Sequence, residues 1–555
     1  MKKTYRILIG IFLLVAIAAG CYFWATGMID SNYAFRSPLK DTPPAAGEKL
    51  GEPSTRRVVI VLVDALRYDT SLNEAVMPTL AGLRAQGASA KMHSQPPSFS
   101  EPGYSTILTG AWPWLNDGPA FNLDYGEIPT FTQDNLFSAA HRAGITTAIS
   151  GYYWFEELVP QSDVDLSFYT PGEDRYADEE VMTAAMPWLE ENSAQLVLIH
   201  LDQVDYAGHH EGGAVSIGWQ QAANRCDQHL ASILATLDLS QDTLIVLSDH
   251  GQIDAGGHGG QDPVTLEEPF VIVGAGVVPG EYGDMQMVDV APTVSALFGA
   301  NLPASTQGRV LTEMLALDPS VTDALPAATQ AQQTALVSAY ATAIGREVKE
   351  MPAGSDVSQY QEVMNSLRDS KEFAQRIPRA VVAALFLALI VFWLLKNWRS
   401  GAIGWIICGL VFALLFNYRY ALWDGLTYSL SSIIGVTELI LYIGITAAAA
   451  LAVVWLVLFL NNGHFKLSPG EAALKVLGLV LTVAFINGLP AVLSFVLNGI
   501  KLTWTLPDYF TEFLGLISLI QVLIICGFGL LLTGLSAFIA WLNSRKPKMV
   551  AEEAK

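Results

Sequence analysis

Two hydrophobic rhythms divide this chain. From Ile7 to about Ile29, and again over about 379–395, 402–418, 436–460, 475–498 and 514–542, apolar residues run on with hardly a charge. Runs of this length read as membrane-spanning helices. Helix is the expected form because backbone N–H and C=O groups in lipid must be satisfied within the segment. Between residues 30 and 378 the rhythm changes. Short β-branched and Leu-rich runs predict strands at 58–63, 146–150, 195–201, 243–248 and 270–274. Helical periodicity lies between them, at 77–87, 131–143, 178–191, 215–238 and 289–299. Continuous apolar strands alternating with helices predict an α/β domain: a mostly parallel sheet with helices on both faces. In such sheets the chemistry sits at the carboxyl ends of strands.

The expected organisation follows. An N-terminal transmembrane anchor (1–29) leads through a Pro/Gly-containing tether (30–56) to the α/β domain (57–318). A helical linker (319–378) returns to a five-span region (379–543) and a short tail (544–555). Basic residues set the orientation. Lys2, Lys3 and Arg6 precede the first run; Lys396 and Arg399 follow the second. His464, Lys466 and Lys475 lie in the next loop on that side, and Arg545, Lys546 and Lys548 in the tail. With those segments cytoplasmic, the α/β domain lies outside a cytoplasmic (inner) membrane and both termini lie inside. The stretch Ala18-Ala19-Gly20-Cys21 also resembles a lipoprotein cleavage box. Ala18 stands where such boxes prefer a larger aliphatic residue, and the apolar run continues through Trp24, so an uncleaved anchor is the preferred reading.

Charge excludes one class of partner. Residues 30–378 hold 46 acidic against 17 basic residues, so the domain lacks the basic patches that nucleic-acid binding needs. Phosphate substrates stay open, because bound cations reverse the local field. Of four cysteines only Cys226 lies in this region, so it holds no internal disulfide and cysteine usage says little about compartment.

The chemistry-bearing residues gather where the strands end. The first strand runs into Asp64; the strand at 195–201 runs into Asp202, with Asp205 and His209 beyond; the strand at 243–248 runs into Asp249-His250-Gly251, and His258 follows within Gly256-Gly257-His258-Gly259-Gly260. Carboxylates and imidazoles are ligands for zinc and also serve manganese. Asp64, Asp205, His209, Asp249, His250 and His258 could together hold two divalent ions, the arrangement that clamps an in-line phosphoryl displacement. Taken singly, Asp64 reads first as a helix cap and Asp205–His209 as a polar turn. Jointly they carry more, because four of the nine histidines, including the neighbour His210, fall in two such turns. In Pro96–Gly110 a helix-like run starts near Tyr104, placing Ser100 among the free N–H groups that favour a phosphate. A serine beside a metal can act as nucleophile; Ser98 is the second candidate.

In this order the motifs resemble the alkaline phosphatase superfamily, nearest its type I phosphodiesterase/nucleotide pyrophosphatase branch and the glycosylphosphatidylinositol (GPI) ethanolamine phosphate transferases. The resemblance covers about residues 57–312. It rests on Val63-Asp64-Ala-Leu-Arg, Ser100-Glu-Pro-Gly-Tyr-Ser-Thr-Ile-Leu-Thr-Gly110, Asp205-Tyr-Ala-Gly-His209, Ser248-Asp249-His250-Gly251, Gly257-His258-Gly259 and Val288-Asp289-Val-Ala-Pro292. It implies that Asp205, His209 and His258 bind one zinc, and that Asp64, Asp249, His250 and the nucleophile Ser100 bind the other. It further implies a phosphorylated serine, resolved by an alcohol in a transferase or by water in a phosphodiesterase. Membrane lipid is then the expected donor or acceptor, with phosphoethanolamine a candidate group. Sulfatases fit poorly, since Tyr104 occupies the place of their arginine. A non-catalytic scaffold is disfavoured by the complete ligand set.

Overall fold

A computed structural model of the chain describes residues 2–398, 401–432, 435–461 and 467–545. Arg399, His464, Lys466, Lys546 and Lys548 lie outside the described residues.

Among the described residues, eight strands form one sheet: β1 (Arg57–Val63), β2 (Ala88–His93), β3 (Thr147–Tyr152), β4 (Leu166–Thr170), β5 (Leu196–Leu201), β6 (Asp242–Leu247), β7 (Glu267–Gly274) and β8 (Gly280–Gln286). Their order is β4-β3-β5-β1-β6-β7-β2-β8. Only β7 runs antiparallel to its neighbours, β6 and β2. The centre is buried on both faces. Val58, Ile60 and Leu62 pack into one apolar layer, and Val59, Val61 and Val63 into the other, as the two-residue period of a strand requires. Register then aligns the chemistry. Val63 pairs with Leu201 and Leu62 with Leu247, so β1, β5 and β6 end side by side and deliver Asp64, Asp202 and Ser248-Asp249 to one edge.

The sequence pattern missed β2, β4 and β8. Their segments, ASAKMH, LSFYT and GEYGDMQ, interrupt their apolar residues with polar ones, and β8 is largely exposed. Backbone pairing to neighbours, rather than their own hydrophobicity, holds them in the sheet. The segment read as a tether is packed against the domain over part of its length. Leu39 and Leu50 are buried in its core, Arg36 Nη2 pairs with Asp117 at 2.5 Å, and Leu50 N–H bonds Gly299 O at 2.8 Å.

Among the described residues, six helices are long and apolar enough to cross a membrane: Lys3–Tyr33, Val357–Lys396, Ala402–Trp423, Val436–Leu460, Pro469–Leu497 and Tyr509–Ser544. The second begins among the soluble residues, with Tyr360 and Met364 buried in the core of the α/β domain, and continues unbroken into the apolar stretch. A separate apolar cluster ties the first helix to the last four through Leu14, Met28, Phe412, Leu451, Val480 and Ile525.

Candidate active site

Ser100 opens the helix Ser100–Thr109, four residues earlier than its apolar pattern suggests. Pro102 is tolerated there because first-turn N–H groups have no helical partner. Gly103 lets the helix lie against the strand end: a Cβ on it would stand 2.7 Å from Asp249 O. Ser100 Oγ is buried, 3.1 Å from His250 Nε2. His250 Nδ1 faces Gly251 O at 3.0 Å. A carbonyl only accepts, so the ring proton sits on Nδ1 and the Nε2 lone pair points into the site. Asp64 Oδ1 and Asp249 Oδ2 approach that Nε2 at 3.5 and 3.4 Å. Neither oxygen has a hydrogen-bond partner among the described residues, although both carboxylates are fully buried.

The second group forms on the helix Gln203–His210, where Asp205 and His209 lie one turn apart. His209 Nε2 is 3.4 Å from Asp205 Oδ2 and 3.0 Å from His258 Nε2; His258 Nε2 is 3.6 Å from Asp205 Oδ1. His258 Nδ1–H donates to Ser98 O at 3.0 Å, which turns its Nε2 lone pair toward the cluster. The rings of His250 and His258 stack at 4.1 Å and join the two groups.

Electrostatics point the same way. Burial, then the charge of Asp64, pushes Asp249 well above the usual carboxylate range. Asp205 is also raised, chiefly by burial, with partial relief from His209. Burial, then the neighbouring His250 and His209, holds His258 well below the ordinary imidazole value. Burial also works against ionised Asp64, but the His200 hydrogen bond, the charges of His250 and His200 and a bond from Tyr104 outweigh it and lower its pKa. Clustered carboxylates that repel one another, unpartnered buried oxygens and inward-facing imidazole lone pairs fit a divalent cation. Asp64, Asp249 and His250 form one cluster of ligand atoms, and Asp205, His250 and His258 another.

Several contributors escaped the sequence reading. His200 Nε2 meets Asp64 Oδ2 at 3.0 Å. Tyr152 N–H donates to His200 Nδ1 at 3.4 Å, so the proton sits on Nε2 and His200 supports Asp64 rather than ligating. Tyr104 O–H, one helical turn after Ser100, donates to the same Asp64 oxygen. Gln252 Nε2 donates to Asp205 Oδ1 at 2.6 Å. His200 had a readable signal, as the one polar residue within the buried strand LVLIHL. Ser98, the alternative nucleophile, is engaged elsewhere: its Oγ donates to Gly260 O at 2.9 Å and accepts from Gly259 N at 3.0 Å.

The loop between the third and fourth apolar helices reaches this site. Ser431 Oγ accepts from Gly260 N at 3.0 Å, and Ser429 Oγ from Gln261 N at 3.2 Å. A Cβ on Gly257 would stand 2.0 Å from Ser431 O, so the glycine-rich His258 loop is fitted against the membrane region. A cavity of about 660 Å³ runs from His209 and His258, past Asn122, Phe99 and Phe121, down between the first, fourth and sixth apolar helices. Its apolar walls include Ile29, Leu439 and Leu523.

Carboxylates, imidazoles and a serine thus gather at the strand ends of a mostly parallel sheet. Residues 58–316 match the family model of type I phosphodiesterase / nucleotide pyrophosphatase. The chain is similar to GPI ethanolamine phosphate transferase 2 of Kluyveromyces lactis, 25% identical over 58% of this chain and 44% of that enzyme. It is also similar to the catalytic subunit of GPI ethanolamine phosphate transferase 3 of Mus musculus, 23% identical over 46% of this chain and 26% of that one. The chain thus matches less than half the length of these relatives. Among solved structures, murine ectonucleotide pyrophosphatase / phosphodiesterase 5 aligns with TM-score 0.40 at 14% identity, covering 47% of this chain and 100% of that one. An alkaline phosphatase superfamily protein from Vibrio parahaemolyticus aligns with TM-score 0.38 at 17% identity, covering 52% and 79%.

Proposed function

We propose that this protein is a membrane-bound, metal-dependent transferase that moves a phosphoryl ester such as phosphoethanolamine from a lipid donor to a glycan or lipid acceptor. The cavity carries the reading: one end is walled by two candidate metal ligands, the other by helices apolar enough to lie in a bilayer. A phospholipid can enter sideways with its acyl chains between helices and its phosphate at the imidazoles. A soluble nucleotide would have no use for the apolar end.

Asp205, His209 and His258 would hold one divalent cation; Asp64, Asp249, His250 and Ser100 Oγ would hold the other, with zinc the first choice and manganese the alternative. Such cations supply Lewis acidity toward phosphoryl oxygens and make the serine hydroxyl easier to ionise. Ser100 Oγ then attacks phosphorus in line, and the bond from phosphorus to the leaving lipid oxygen breaks. First-turn N–H groups of the Ser100 helix receive the negative oxygens. Attack by an acceptor hydroxyl on phospho-Ser100 transfers the group and frees the serine. His200, Tyr104 and Gln252 hold the carboxylates in place. The basic-residue bias along the chain supports an extracytoplasmic catalytic domain, with both termini on the cytoplasmic side of the inner membrane.

The matched family model favours a second reading, in which water resolves the same intermediate. Full-length protein in vesicles, given phosphatidylethanolamine with a labelled headgroup, separates them. Transfer yields diacylglycerol and a labelled acceptor; hydrolysis yields free phosphoethanolamine. Release of neither, with metal supplied, would refute the lipid-donor reading.

A further inference from the structure

Beside the cavity lies a small polar niche that the metal chemistry leaves unused. Glu512, in the first turn of the sixth apolar helix, is 7% exposed. Its partner is Asn32, near the end of the first apolar helix, whose Nδ2 donates to Glu512 Oε1 at 3.2 Å and to Met28 O at 3.1 Å. No basic side chain pairs with Glu512 among the described residues. Two further oxygens are buried here without a hydrogen-bond partner among the described residues, Asn32 Oδ1 and Tyr509 Oη. Asn32, Tyr509 and Glu512 line one space of about 30 Å³. Its walls include Phe121, Ile29, Leu430 and Leu516, which also line the large cavity. Phe121 stacks on Tyr509 at 6.3 Å and lies 5.0 Å from Phe99, which in turn lies 5.6 Å from His258.

A carboxylate buried where apolar helices pack is costly unless a cation or strong donors face it. One amide donor does not balance a full charge. We propose that this niche binds the primary ammonium of a lipid headgroup, making it a specificity site for amine-bearing lipids. The inference rests on the lipid-substrate reading above and narrows it. Three features select this ligand. A carboxylate, an amide oxygen and a phenol oxygen match the three N–H donors of a primary ammonium. Phe121 and Tyr509 line the space as aromatic walls, which suit a cation. The space admits a group about the size of a water molecule, so a trimethylated ammonium is too large.

The alternative is that Glu512 merely ties two helices together through Asn32. Glu512→Gln discriminates, because its amide oxygen still accepts from Asn32 while the charge is gone. The full-length protein would be tested for binding of phosphatidylethanolamine, its N-acetylated form and phosphatidylcholine by native mass spectrometry. We expect the wild type to prefer the primary amine by about tenfold or more over both others. Glu512→Gln should bring that ratio close to one, and Tyr509→Phe should reduce it by a smaller factor, with both variants monodisperse. Equal binding of the three lipids by the wild type would overturn the proposal, as would a preference that survives in Glu512→Gln. Turnover of a soluble aryl phosphodiester by the wild type reports separately on the metal-site reading, since that substrate carries no amine.

Discussion

Ser100 Oγ lies 3.1 Å from His250 Nε2, and the other nitrogen of that imidazole faces Gly251 O at 3.0 Å. The serine therefore meets a lone pair aimed at the same point as Asp64 Oδ1 and Asp249 Oδ2. Ser98, two residues earlier, is turned away and spends its hydroxyl on Gly259 and Gly260.

Ser100→Ala should abolish turnover while metal stays bound, because the carboxylates and imidazoles remain. A loss of about 10²-fold or more is expected. Ser100→Thr should keep part of the activity. Acid-quenched protein should carry phosphate on Ser100; phosphate mapped to Ser98 would mean that the wrong hydroxyl has been assigned.

Metal content should be stoichiometric in active protein, and chelation should remove activity reversibly. His209→Ala and His258→Ala should each lower occupancy on one side, since they share Asp205. Elemental analysis before and after chelation checks this. Full activity without zinc, manganese or another divalent ion would exclude the proposed chemistry.

The loop carrying Ser429 and Ser431 should matter to the metal site although it belongs to the membrane region. Ser431→Ala leaves Gly260 N–H buried without its acceptor, at a cost of about 1–3 kcal/mol. The expected result is weaker metal retention in a chelator titration. Unchanged retention would show that the His258 loop holds its shape alone.

Asp289 gives a pH signature away from the metals. Burial raises its pKa to about 6, against relief from the N–H groups of Arg309 and Gln286. A carboxyl raised on folding contributes stability that is complete below the unfolded value of about 4 and is lost as pH climbs through about 6. Thermal unfolding of the wild type should carry this downward component between pH 4 and 7. Asp289→Asn should flatten it; an identical pH slope in both proteins would contradict the assignment.

Much of this architecture was legible in the residue pattern. Apolar runs of bilayer-spanning length leave helix as their form, and β1, β5 and β6 are continuous enough to announce a doubly covered sheet. Polar residues immediately after such strands, as at Asp64 and Asp249, marked one edge for chemistry before any distance was known. What sequence could not supply was which side chains meet. His200 becomes a support for Asp64 because the parallel register sets β5 against β1 and brings the two together across neighbouring strands. Edge strands such as β8 lack an apolar signature, since their pairing is written in the neighbour's backbone. Asn32 and Glu512 stand 480 positions apart and share a niche only because the first and last apolar helices pack together. Local pattern determines elements, whose energetics are short-range; sites assembled from distant segments exist only once close packing has chosen the neighbours.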